Sequence, residues 1–221
     1  MLGKLMETSK EYCTIYVARH GQTEFNVRDI LQGQVDSPLT DDGRLQAKEL
    51  STKLTGIHFE AIFSSDLGRA KRTAEIIALD RELAVITKKL LRERSFGHLD
   101  GTAVRDFREQ NRELFKKRET LSEQEKRDFK FYETYESDSE IAARMLTALR
   151  EIAATYIGKN ILVVSHGAII RSMLIHLGFA DFDELDSKSV GNASYVKLES
   201  DGVDFFIKET IGISKSTHLS E

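Results

Sequence analysis

Two stretches of this chain repeat one pattern, and it limits the fold more than anything else in the sequence. An apolar, β-branched run reaches a histidine followed by glycine in TIYVARHG, at 14–21, and again in ILVVSHG, at 161–167. Buried strands that end in a turn carrying an ionisable side chain belong to α/β sheets, where ligands bind beyond the carboxyl ends of the strands.

The rest of the sequence agrees with such a sheet. Strand-like segments rich in β-branched residues recur as CTIYVA, AIFSS, LAVITKKL, NILVVSH, ASYVKLE and VDFFIKE. Helical patterns lie between the first four, and that alternation predicts an α/β three-layer sandwich with a largely parallel central sheet and helices on both faces. One helix should begin at a Thr40 cap, carry Leu45, Leu50 and Leu54 on its apolar face and stop at Gly56. The next should be capped by Asp66 and bury Ala70, Ala74 and Ile77. A third has Ile141, Met145, Leu149, Ile152 and Tyr156 at spacings of three and four, and a fourth runs from the second His-Gly turn to Gly178.

The 221 residues, 40% hydrophobic and 31% charged, fit a single domain spanning 1–221. Residues 103–138 are dense in charge, with only a weak stripe of Phe107, Leu114, Phe115 and Leu121, and are expected to form a helical insertion that could cover a substrate. A flexible tail is expected at 211–221. The net charge of -4 comes without a long run of one sign, so no nucleic-acid partner is expected. No segment reads as a signal peptide or membrane span, and the single cysteine, Cys13, sits in an apolar strand. A cytoplasmic protein without membrane partners, monomer or homodimer, is the expectation.

Collecting the ionisable residues near strand exits gives Arg19, His20, Arg69, Glu93 and His166. Guanidinium forks match phosphate oxygens and stay charged, and a neutral imidazole can attack phosphorus. A second imidazole, kept cationic beside the phosphate, can steady its equatorial oxygens, and a carboxylic acid can protonate the leaving oxygen. No metal or other cofactor is needed for this chemistry. Gly21 and Gly167 should let a phosphate approach the backbone, with the helix after Gly167 presenting free N–H groups. Each of these residues alone is more often structural; their conjunction points to a phosphoryl-transfer site.

With these motifs in order, RHGQTEFN, LQGQVDSPLTDDGRLQA, FSSDLGRAKRTAEII, LRERSFGHLDG and VVSHGAIIR, the chain resembles the histidine phosphatase superfamily in its phosphoglycerate-mutase-like branch. The resemblance implies that His20 is the phosphorylated nucleophile, that Arg19 and Arg69 clamp the phosphate, that His166 is the second pocket histidine and that Glu93 is the general acid and base. It implies that Asn26 binds a phosphate oxygen, with Gln22 and Arg94 as further ligands of the site. His98 is an additional candidate, whereas Asp100 reads as a turn residue.

Mutases of this branch carry an aromatic where the chain has Gln32-Gly33-Gln34, and a lysine where it has Val104; their paired arginines have only an approximate counterpart in Lys116, Lys117 and Arg118. The resemblance is therefore closest to metal-independent phosphatases of the fructose-2,6-bisphosphatase-like kind. It implies hydrolysis of a small phosphorylated metabolite, in the sugar phosphate or phosphoglycerate class, through a phosphohistidine. A cofactor-dependent phosphoglycerate mutase is the alternative, and a non-catalytic phospholigand-binding protein a remote one.

Overall fold

The computed structural model of the protein describes residues 11–216. In chain order these form β1 (Cys13–Arg19), α1 (Glu24–Val27), α2 (Asp41–Lys53), β2 (Ala61–Ser64), α3 (Gly68–Leu79), β3 (Val85–Thr87), α4 (Val104–Gln110), α5 (Arg112–Glu119) and α6 (Glu123–Asp128). There follow α7 (Asp138–Thr155), β4 (Asn160–Ser165), α8 (Gly167–His176), β5 (Val190–Ser200) and β6 (Phe205–Ile213).

The strands make one sheet in the order β3-β2-β4-β1-β5-β6. The first four are parallel, and β5 and β6 complete one edge in antiparallel sense. Alternate side chains of each central strand feed two cores. Ile15, Val17, Ile161 and Val163 pack with α7 and α8, through Ile141, Met145, Leu149, Ile152 and Met173. Tyr16, Ala18, Leu162 and Val164 pack with α2 and α3, through Leu50, Leu54, Ala70, Ala74 and Ile77. The three-layer sandwich expected from the sequence is thus present, held by apolar side chains worth about 1.5–3 kcal/mol each when fully buried.

Local chemistry sets the helix starts. Thr40 caps α2 by accepting the Gly43 N–H, and Ser137 caps α7 in a reciprocal box with Glu140. Leu45 departs from expectation: it is exposed, and the buried face of α2 is Gly43, Ala47 and Leu50, followed by Leu54 just beyond the last turn. Asp66 does not cap α3 either. Arg92 binds both its carboxylate oxygens at 2.7 Å, a stronger attraction than a cap, and Asp36 serves the helix start instead, accepting from the N–H groups of Gly68 and Arg69.

The strand expected at LAVITKKL is short. After Thr87 the chain turns into a single 3-10 turn, Lys89–Leu91, which buries Leu91 in the core beside α7. At the other end, β6 continues to Ile213, and Ser214 and Ser216 donate to Ser189 O and Glu184 O, so 211–216 are hydrogen-bonded rather than loose. The remainder of the expected tail, 217–221, lies outside the described residues.

The charged stretch 103–138 supplies α4, α5 and α6. Aromatics replace the missing aliphatics: Phe107, Phe131 and Tyr135 are buried with Leu99, and Phe96, Phe115 and Tyr132 lie against them. Among the described residues no helix is long and apolar enough to cross a membrane.

Candidate active site

The site is assembled at the carboxyl ends of β1 and β4, which are adjacent and parallel, with Arg19 directly opposite Ser165. The next residue of each strand is a histidine, and the backbone N–H of His20 donates to Ser165 O at 3.0 Å. The two imidazoles meet edge to face with ring centroids 5.2 Å apart. Both are buried.

His20 has a fixed tautomer. Its Nδ1 lies 2.7 Å from Gly21 O, and a carbonyl can only accept, so Nδ1 carries the hydrogen and Nε2 keeps its lone pair. Burial, then the charges of Arg69 and Arg19, hold this imidazole well below the ordinary histidine range, so it is neutral at physiological pH. His166 is held down in the same way, by burial first and then by Arg69 and His20. The cationic form expected for it therefore requires an anion beside it. Neither ring nitrogen of His166 has a hydrogen-bond partner among the described residues.

The guanidinium groups are locked in place. Arg69 comes from the first turn of α3 and is 1% exposed. Its NH2 donates to Gly33 O at 2.7 Å, and its NH1 to Val35 O at 2.9 Å and to Asp36 Oδ1 at 3.2 Å. Arg19 NH1 donates to Val190 O at 2.6 Å. In both arginines Nε is buried without a partner, as are both nitrogens of His166. A buried polar group left unpaired costs about 1–3 kcal/mol, and four such N–H or ring nitrogen positions at one strand junction mark where a polyoxygen anion would compensate.

Glu93 closes the site. Its Oε1 accepts from the N–H groups of Arg94 and Ile169 at 2.8 and 3.1 Å, and Oε2 from Ala168 N–H at 3.0 Å. The amides expected to meet a phosphate at the start of α8 are thus taken by this carboxylate. A carboxylate offers about four lone-pair directions, so one on Oε2 stays open for a proton.

The remaining sequence candidates divide. Asn26 accepts through Oδ1 from Thr23 N–H, Thr23 Oγ1 and Asn192 Nδ2, which leaves its own Nδ2 donor with no partner among the described residues, as an anion ligand needs. Gln22 is tied to α2: its Oε1 accepts from Thr40 Oγ1 at 2.9 Å. Arg94, expected at the substrate, is instead buried in a separate cluster, donating to Asp138, Tyr135 and Ser172. His98 stacks edge to face on Tyr132 at 4.9 Å, and Asp100 is the turn residue expected, accepting from Phe96 and Gln34 N–H groups.

Both glycines are required by the protein's own packing. A Cβ on Gly21 would lie 2.2 Å from Gly43 O, so the turn after His20 rests backbone to backbone on the start of α2. A Cβ on Gly167 would crowd the Arg19 guanidinium at 3.2 Å from Nε. Local sequence does not single out Asp36, Arg144 or Asn192, which hold Arg69, the Glu93 loop and Asn26; their partners lie far away in the chain, and only the turn-forming composition of Asp36-Ser37-Pro38 hints at a role.

Comparison with known proteins decides the family. The profile of the histidine phosphatase superfamily (branch 1) matches residues 15–210. This chain belongs to that superfamily. Among the relatives of this histidine phosphatase is the Bacillus subtilis protein named uncharacterized phosphatase PhoE, 30% identical over 207 residues, 93% of this chain and 96% of that protein. Another is the probable phosphoglycerate mutase GpmB of Proteus mirabilis, 37% identical over 160 residues, 72% of each chain. A crystal structure of phosphoserine phosphatase from Entamoeba histolytica, in complex with 3-phosphoglyceric acid, superposes with a TM-score of 0.73 at 26% identity, covering 93% of this chain and 98% of that one. Among the described residues, no three His, Cys, Asp or Glu side chains of this superfamily member come together as a metal site.

Proposed function

We propose that the protein is a metal-independent phosphatase that hydrolyses a small phosphorylated metabolite through a phosphohistidine on His20. One observation carries this reading: His20 presents an unprotonated Nε2, fixed by the Nδ1–H bond to Gly21 O, beside buried and unpartnered nitrogens of Arg19, Arg69 and His166.

In the first half-reaction the Nε2 lone pair of His20 attacks phosphorus as the ester P–O bond breaks, and Glu93 gives its proton to the leaving oxygen. In the second, Glu93 takes a proton from water, the hydroxyl adds to phosphorus, and the N–P bond returns its electrons to Nε2. Arg19, Arg69 and protonated His166 neutralise the equatorial oxygens throughout, and Asn26 Nδ2 donates a hydrogen bond to one of them. His166 takes up a proton when the dianion binds, since the anion offsets the burial that keeps it neutral. Gly167, whose missing side chain admits the Arg19 guanidinium, helps this pocket by position. The substrate class is drawn from relatives, one of which is a phosphoserine phosphatase crystallised with 3-phosphoglyceric acid.

The mutase reading has its own support in relatives named as probable phosphoglycerate mutases. Both readings share the first half-reaction and differ in the acceptor. The test is steady release of inorganic phosphate from phosphoserine, phosphoglycerates and sugar phosphates in the presence of a chelator, with acid-labile phosphate trapped on the wild type and absent from His20→Ala. That variant should lose roughly 10⁴-fold or more in rate. Undiminished hydrolysis by His20→Ala would overturn the proposal, and primer-dependent interconversion of 2- and 3-phosphoglycerate without net phosphate release would select the mutase.

A further inference from the structure

From its hydrogen bonds we infer that Arg144, together with Glu136, is the positioning residue for the general acid and base, acting on Glu93 through the backbone of the loop that carries it. This inference rests on the assignment of Glu93 to proton transfer made above. Glu93 lies on no regular element; it follows the Lys89–Leu91 turn, so nothing in the sheet or in a helix ladder fixes its Cα.

Arg144 supplies that constraint. It stands on α7, a helix anchored in the core by Ile141 and Met145. Its NH1 donates to Leu90 O at 3.0 Å and to Arg92 O, and its NH2 donates to Glu93 O at 2.9 Å. Nε and NH2 also bind the two carboxylate oxygens of Glu136, each at 2.9 Å. Glu136 in turn accepts the Ser95 N–H at 2.7 Å and donates its own N–H to Ser95 O at 3.0 Å. One planar fork therefore grips the loop before and at Glu93, while its carboxylate partner grips it two residues beyond.

Three backbone amides fix the far end of the Glu93 side chain, so the carboxyl group is held at both ends. Only a guanidinium can do this: the five N–H groups lie in one rigid plane, and a lysine ammonium cannot span three carbonyls and a carboxylate. The fork makes no hydrogen bond to the phosphate clamp or the nucleophile, and although its charge reaches His166, Arg144→Lys keeps that charge, so loss of the fork geometry should move proton transfer selectively. A misplacement of about 1 Å can cost on the order of 10²-fold in a positioned step.

The experiment compares Arg144→Lys, Glu136→Gln and Glu93→Gln with the wild type on an alkyl phosphate, whose leaving oxygen needs a proton, and on p-nitrophenyl phosphate, whose leaving group does not. Arg144→Lys is expected to lose roughly 30- to 100-fold in kcat on the alkyl ester and less than about threefold on the aryl ester, with KM little changed. Glu136→Gln, which retains one acceptor oxygen, should show the same split at smaller size, and it carries the test if Arg144→Lys folds poorly. The double variant Arg144→Lys/Glu93→Gln should be no slower than Glu93→Gln alone. Equal losses on both esters, or additive losses in the double variant, would overturn the inference. If Glu93→Gln itself shows no split between the esters, the assignment of Glu93 fails instead.

Discussion

Asp36 and Arg69 are joined twice. The carboxylate Oδ1 receives both the backbone N–H of Arg69 at 3.3 Å and its NH1 at 3.2 Å, while Oδ2 receives the N–H of Gly68. A side chain 44% exposed thereby fixes one that is 1% exposed. Asp36→Ala should reduce kcat/KM about tenfold, equivalent to about 1.4 kcal/mol of transition-state stabilisation, because Arg69 keeps its two carbonyl anchors but gains freedom to tilt. The stability loss should be modest, about 1 kcal/mol, the cost of a lost helix cap with the half-exposed ion pair adding little. Kinetics and thermal unfolding of the variant check both numbers, and unchanged kcat/KM would show that the carbonyls alone suffice.

Both site histidines make stability depend on pH. Each is held well below the ordinary histidine value of 6.5, by burial first and then by arginine charge. Below that value the unfolded chain binds protons that the folded site refuses, so stability should fall as pH drops from about 6.5 toward the depressed folded values, and should not change on this account above it. His166→Gln removes one of the two groups and should flatten the fall between about pH 7 and pH 5.5 in melts followed by circular dichroism. Identical slopes in variant and wild type would place the acid sensitivity elsewhere.

Gly43 cannot be enlarged. A Cβ there would sit 2.0 Å from Gln22 O and 2.9 Å from Gln22 N, both backbone atoms that cannot rotate away. Gly43→Ala should therefore destabilise by about 1–3 kcal/mol and, by pushing the turn after His20, lower activity as well. A urea unfolding midpoint equal to the wild type would contradict this packing argument.

Glu93→Gln carries two separable costs. A carboxamide presents an NH₂ where the carboxylate accepted an amide N–H from Arg94, Ala168 or Ile169, so two donors must face each other and roughly 1–3 kcal/mol of stability is lost. Assayed below its own melting point, the variant should still be far slower on alkyl than on aryl phosphates. A variant that melts like the wild type would refute the three-amide cradle whatever its kinetics.

What could be read from the sequence follows a physical division. Arg19, His20 and His166 are legible because a strand's apolar run reports where it ends, and the sheet brings those ends together. The Thr40 cap and the α7 stripe are legible because their causes lie within a few residues. Asp36 on Arg69 and Arg144 on the Glu93 loop are not, since those contacts form only after α3 and α7 have docked. Asp66 and Leu45 show the local rules losing: Arg92 offers Asp66 a bidentate partner better than a cap, and the buried face of α2 is set by how closely Gly43 approaches the β1 turn. Arg94 shares a motif with Glu93, yet its neighbour's position says nothing of its own direction, which Asp138 determines.

The register of β1 against β4 acts as a ruler. Neighbouring strands stand about 4.8 Å apart by the demands of their hydrogen bonds alone, and the two imidazole centroids, one step beyond paired residues, stand 5.2 Å apart. Strand pairing thus sets the two histidine backbones side by side, and side-chain orientation, fixed for His20 by its bond to Gly21 O, brings the rings edge to face. Whatever the surrounding helices and loops do, that backbone pairing keeps His20 and His166 neighbours at the end of the sheet.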